Sequence, residues 1–161
     1  MKQRLGRKAL VMCAAVLAAT VGGLGLAGQA QALSKDGTNP SGCSSPQTVR
    51  TASILRSGVV IGRTELRFSD PCDIVWSRVC WDSYSFHTLS VTRTIPDGYY
   101  GGFALGGSSG SGVCSGSYSQ SKYGAGVEDD CQEDYGYTCA AYGSGALADA
   151  SSSYWGQTTT F

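Results

Sequence analysis

His87 is the only histidine in the 161-residue chain. A serine- or cysteine-type acyl transfer would need it as base beside a positioned nucleophile and a carboxylate. Serines are abundant and discriminate nothing, and no Gly-x-Ser-x-Gly elbow is present. Gly112-Val113-Cys114-Ser115-Gly116 imitates that elbow with a cysteine, but this thiol is expected to be oxidised rather than nucleophilic. Gly143-Ser144-Gly145-Ala146-Leu147-Ala148 resembles a relaxed dinucleotide fingerprint. The acidic ribose ligand expected about 20 residues later is missing, so the match is a product of glycine content. No catalytic residue and no cofactor is assigned.

Two other groups of residues can carry chemistry. Glu128, Asp129, Asp130, Glu133 and Asp134 flank Cys131 and form the densest charge cluster. Several oxygens on a loop stiffened by a disulfide are what calcium requires. The spacing is not that of an EF-hand, because Tyr135 stands where its glycine belongs and Ala141 where its bidentate Glu belongs. A solvated acidic loop is the simpler expectation, and a carboxylate-based hydrolase using two of these acids ranks behind it. The aromatics are more suggestive. Tyr99, Tyr100, Tyr118, Tyr135, Tyr137 and Trp155 fall in the Gly/Ser-rich half of the chain. Each joins an apolar face to a polar handle, which suits contact with sugars or proteins, although sheets favour tyrosine anyway.

The elements that must position these residues begin after a leader. Lys2, Arg4, Arg7 and Lys8 precede an apolar run from Ala9 to Ala27, and Ala30-Gln31-Ala32 supplies the small residues of a cleavage site. Residues 1–32 therefore read as a secretory signal helix, and 33–161 as one domain. The mature chain keeps eight Lys and Arg against twelve Asp and Glu, which excludes a basic nucleic-acid binder. Nothing after the leader is apolar enough to span a bilayer, so no membrane contact is expected after cleavage. Cys43, Cys72, Cys80, Cys114, Cys131 and Cys139 remain. An even set in an exported chain reads as three disulfides. Sequence alone does not select the connectivity; Cys43–Cys72, Cys80–Cys114 and Cys131–Cys139 is the working arrangement. Zinc is disfavoured, because CxxC-like pairs are absent.

Within the domain, Leu33 to Pro46 reads as a loop tied down only by Cys43. Thr48 to Leu55 and Val60 to Phe68 read as an antiparallel hairpin about Arg56-Ser57-Gly58. In the second run Thr64, Leu66 and Phe68 share one face and Arg63, Glu65 and Arg67 the other, so the charged face is expected to be solvated. A ligand-binding Arg pair there is the less favoured reading, and Trp76 is expected to plug the core. Further strands are expected at Ile74 to Trp81, Thr88 to Ile95, Tyr99 to Leu105, Tyr135 to Tyr142 and Tyr154 to Phe161. Gly145 to Ser152 admits a short helical turn. The pattern predicts an all-β domain, a small disulfide-stapled barrel or sandwich.

Asp36-Gly37-Thr38-Asn39-Pro40, Gly42-Cys43, Glu65-Leu66-Arg67-Phe68-Ser69, Cys72 and Trp76-Ser77-Arg78-Val79 carry a recognisable order. This block resembles the YjfA-like domain-of-unknown-function 2690 family, whose members are mostly exported proteins of Gram-positive bacteria. The resemblance covers residues 36–80. Residues 36–95 then form a family-like core and 96–161 a Gly/Ser/Tyr-rich remainder. Family members often carry a cysteine where this chain has Lys35, and an alanine in place of Ser77. The resemblance implies export and a β-rich core, and no reaction.

The sequence thus points to a secreted, non-catalytic module that binds an extracellular glycan or protein, and not to an enzyme. An inhibitor of a secreted hydrolase, presenting Gly106 to Gly116, is the alternative.

Overall fold

The computed structural model describes residues 33–94, 103–114, 116–129 and 139–161. These residues form nine β-strands in two antiparallel sheets and no α-helix. Sheet one runs β1 (Gln47–Arg56), β2 (Val59–Ser69), β3 (Ile74–Trp81), β6 (Gln120–Tyr123), with β7 (Val127–Glu128) also paired to β3. Sheet two runs β5 (Phe103–Gly106), β4 (Ser85–Thr94), β8 (Ala140–Ala148), β9 (Ser153–Gln157). The all-β expectation holds. The sheets stack as two layers and do not close into a barrel. The expected signal helix, residues 1–32, lies outside the described residues.

The first hairpin forms as its sequence dictates. Ser57 and Gly58 both take positive φ, 49° and 83°, the backbone that a tight two-residue hairpin turn requires. Leu66 and Val75 from sheet one meet Val91 and Ala141 from sheet two in one apolar cluster. Ile54, Val79 and Trp81 meet Leu89 and Leu147 in another. Between these clusters the sheets approach through glycine. A Cβ on Gly145 would lie 2.1 Å from Val79 Cγ2 and 2.9 Å from Thr64 Oγ1, and one on Gly62 would lie 2.5 Å from Leu147 Cδ1. The closeness lets side chains of one sheet hydrogen-bond the backbone of the other. The Thr64 hydroxyl donates to the Gly156 carbonyl at 3.0 Å and the Ser77 hydroxyl to the Ser144 carbonyl at 3.1 Å.

Two expectations are overturned. Gly145 to Ser152 forms no helical turn, because β8 continues to Ala148, pairing with β9 on one side and β4 on the other. The N-terminal loop is held by far more than Cys43. Asp36 is ion-paired with Arg93 at 2.7 Å, both side chains buried, and accepts the N–H groups of Leu33 and Glu128. Lys35 reaches Asp73 at 2.5 Å. Two of the expected disulfides are present, Cys43–Cys72 and Cys80–Cys114. Cys139 is also disulfide-bonded, and Cys131 lies outside the described residues.

Asp149 closes the β8–β9 turn. It accepts the Ser151 and Ser152 N–H groups at 2.9 and 3.0 Å and the Tyr154 hydroxyl at 2.9 Å, with Arg56 at 3.4 Å. The Ser151 N–H above all, then the Tyr154 and Ser151 hydroxyls, hold its carboxyl down at about 2 against an ordinary 3.8.

Gly145→Ala should lose about 1–3 kcal/mol in urea unfolding because the added methyl overpacks the interface. Gly42→Ala, where a Cβ meets nothing within 4 Å, should stay within about 0.5 kcal/mol. For Asp149, a folded-state pKa below the unfolded one means stabilisation present above the unfolded value and lost as pH falls through the folded value. The stability gap between the wild type and Asp149→Asn should therefore close between pH 3.8 and about 2, followed by acid-series denaturation. An NMR titration of the carboxyl should give the low midpoint directly.

Candidate functional site

The register of β2 and β3 sets the outer face of sheet one. Arg63, Glu65 and Arg67 lie opposite Cys80, Arg78 and Trp76, and Ser121 and Tyr123 of β6 lie opposite Cys80 and Arg78. This face is not solvated as the alternation predicts. Glu65 is wholly buried. The reason is a loop that arrives later in the chain and covers the face. Cys114 is bonded to Cys80. Gly110 exchanges backbone hydrogen bonds with Tyr123, and the Gly112 N–H donates to the Ser121 hydroxyl at 3.1 Å.

Under this cover the Glu65 carboxylate collects cations. Arg78 donates to it through Nε at 2.8 Å and also through Nη2, Arg63 approaches to 2.6 Å, and the Thr48 hydroxyl donates at 3.4 Å. Arg78 uses its remaining Nη1 on the Val113 carbonyl. The cation that neutralises the buried acid therefore also fastens the loop above it. Arg63 lies over the Tyr118 ring, 5.4 Å from its centroid.

Beside this network, between the N-terminal loop and the strands, is a cavity of about 110 Å³ lined by Arg67, Arg78, Trp76, Tyr123, Pro40 and Pro46. Trp76 is buried as expected, but it points to this outer face and not into the sandwich. Arg67 donates to the Thr48 hydroxyl at 2.5 Å and the Pro46 carbonyl at 2.9 Å. Burial, reinforced by Arg78 and opposed by Glu65, lowers the pKa of its guanidinium below the ordinary arginine value.

The outer face of sheet two is of another kind. Thr88, Ser90 and Thr92 of β4 stand opposite Ala146, Ser144 and Tyr142 of β8, and Trp155 of β9 stands opposite Ala146. Trp155 is 58% exposed, with the His87 ring edge-on at 6.2 Å. Arg93 is the only charged residue in the four strands of sheet two, and it is buried against Asp36. The face therefore presents hydroxyls, methyls and the aromatics Trp155 and Tyr142, with no Lys, Arg, Asp or Glu.

The expected site residues fall as follows. Trp155 and Tyr118 belong to different layers, with Tyr118 against Arg63 of sheet one. Tyr99, Tyr100, Tyr135 and Tyr137 lie outside the described residues, as do Asp130, Glu133 and Asp134. Glu128 is buried in β7, where its carboxylate accepts the Lys35 N–H at 2.9 Å and the Ser34 hydroxyl at 3.2 Å. The Asp129 N–H donates to the Asp73 carbonyl. Among the described residues no three metal-ligating side chains gather. Sequence reasoning missed the Arg67–Trp76–Tyr123 cavity. The short Asp70–Asp73 connection could have placed Trp76 opposite Arg67, but no local signal announced Gln120–Tyr123 as a strand.

Comparison with family models, with curated proteins and with solved structures returned no match.

Removing the Glu65 charge should expose how much depends on it. Glu65→Gln leaves Arg78 and Arg63 facing a neutral amide, and a loss of about 3–5 kcal/mol is expected in equilibrium unfolding, as for other broken buried pairs. Faster amide exchange in residues 109–114 should accompany it.

Proposed function

We propose that this protein is an exported, non-catalytic binding module of the cell envelope or medium, and that its ligand is an uncharged extracellular glycan held on the outer face of sheet two. Trp155 carries this reading. A large aromatic left 58% exposed among short hydroxyl and methyl side chains offers a flat apolar platform for the C–H face of a sugar ring. The serine and threonine hydroxyls beside it both donate and accept, which matches the hydroxyls of a glycan. The absence of charge on this face in its described residues removes the electrostatic attraction on which nucleic-acid binding depends. The disulfides fit an oxidising compartment, and among the described residues no helix is long and apolar enough to cross a membrane. The resemblance of residues 36–80 to an exported family belongs to the same reading.

Inhibition of a secreted hydrolase is less well supported. Its candidate segment, Gly106 to Gly116, is braced by hydrogen bonds and a disulfide, and Val113 is 89% exposed. An inhibitory loop must offer its scissile carbonyl to the oxyanion hole of the protease. Here the Val113 carbonyl is turned inward and accepts from Arg78. Glu65 and Glu128, both buried in ion-pair and hydrogen-bond networks, are poorly placed to serve a hydrolase, and catalysis forms no part of the proposal.

Co-sedimentation with insoluble peptidoglycan, chitin and cellulose tests the reading. The wild type should be depleted from the supernatant by at least one of them. Trp155→Ala should bind roughly 30-fold more weakly, the loss of an aromatic hot spot of about 2 kcal/mol, with an unchanged melting temperature. Tyr118→Ala, on the other layer, should bind like the wild type. Equal retention of wild type and Trp155→Ala in every supernatant would reject the glycan.

A further inference from the structure

The cavity beside Glu65 has features that the glycan face does not explain. Arg78 and Arg63 both pair with the Glu65 carboxylate. Arg67, their neighbour, does not: its two Nη groups donate to a hydroxyl and a carbonyl, and its buried Nε has no partner. One unit of positive charge is thus held at the cavity without a carboxylate of its own. The Thr48 and Pro46 acceptors fix the guanidinium, and fixed donors bind an anion without a further ordering cost. The surroundings are also preset. Cys43–Cys72 ties the Pro40–Pro46 segment to the end of β2, and the Ser69 hydroxyl donates to the Ser44 carbonyl at 2.8 Å.

Charge and size define the occupant. Arg67, which is in none of the ion pairs among the described residues, gives the cavity a positive wall that favours an anion. Trp76, Tyr123, Pro40 and Pro46 supply apolar walls for the carbon next to the anionic group. A cavity of about 150 Å³ accommodates a benzene ring; this one, at about 110 Å³ and open to solvent on one side, has room for a carboxylate on a short carbon stub. We propose that the cavity binds the C-terminal carboxylate of an extracellular peptide ending in a small residue. The site lies on the outer face of sheet one and is independent of the Trp155 face on sheet two.

NMR titration of the intact mature protein tests this, with the Arg67 Nε–H and Trp76 indole signals as reporters. N-acetylalanine should shift both saturably, while its amide, which lacks the charge, should shift neither. Arg67→Lys, which loses the planar fork, should weaken binding about tenfold, and Arg67→Gln should abolish it. Tyr123→Ala, which opens one wall, should weaken binding without removing the charge, so the test survives if Arg67→Gln fails to fold. Trp155→Ala should bind N-acetylalanine like the wild type, which separates this proposal from the glycan reading. Saturation by inorganic phosphate with equal affinity would overturn it in favour of a general anion site, and by glucuronate in favour of an acidic sugar. Absence of any saturable shift with N-acetylalanine would overturn it outright.

Discussion

Glu65 is the constraint around which one half of the molecule is arranged. A carboxylate taken wholly out of water loses several kcal/mol of hydration, and only close cations and hydrogen bonds offset the loss. Arg78, Arg63 and Thr48 supply these from the two neighbouring strands and from β2 itself. The strands alone would leave this face open to water, where the same pairing would be worth little. The loop that ends at Cys114 provides the cover, and Cys80, in register with Arg63, anchors it covalently. Charge, disulfide and loop are thus parts of one arrangement. The cavity is its residue, the place where a neighbouring arginine meets the edge of that cover and of the Pro40–Pro46 segment.

A second buried pair plays a comparable part on sheet two. Arg93 points into the sandwich and is answered by Asp36 from the N-terminal loop. Asp36 also accepts two backbone N–H groups, from Leu33 and Glu128, so the loop and β7 are fastened through a single carboxylate. Each pair ties a segment without long strands to one of the sheets. Since the one charged residue of the four strands in sheet two is consumed inside, its outer face is left to neutral side chains. The two faces of the sandwich consequently differ in kind: one is charged and covered, the other neutral and open.

The first four strands were legible because their signals are local. Alternation in Val60 to Phe68, the Ser57-Gly58 turn and the apolar run Ile74 to Trp81 each speak for themselves. Burial of the charged face was not legible, because its cause arrives more than thirty residues later in the chain. Gln120–Tyr123 is short and polar, and becomes a strand only by pairing with β3. The C-terminal part of β8 is poor in β-branched residues, so composition misled where pairing on both sides decided. Trp155 was visible as a candidate aromatic, but its exposure depends on which face of β9 meets Ile54, and that is set by Gly156 packing against the end of β1. The disulfide pairs in chain order were a working arrangement, and two are present.

The glycine content that makes the sequence look loose has the opposite effect in the fold. At Gly62, Gly143, Gly145 and Gly156 the missing side chain brings the sheets close enough for threonine and serine hydroxyls to bond across the layers. A thin sandwich has few large side chains to bury, so its cohesion is shared with disulfides and ion pairs. Thinness also bears on recognition. Serine, threonine and alanine on the outer face of sheet two lose little rotamer freedom on contact, and the strands beneath them are clamped by cross-layer bonds. Sugar stacking and neutral hydrogen bonds are individually weak, and they yield affinity only where little ordering is left to be done. A neutral face on a glycine-thinned sheet meets that condition, whereas the same residues on a flexible loop would not.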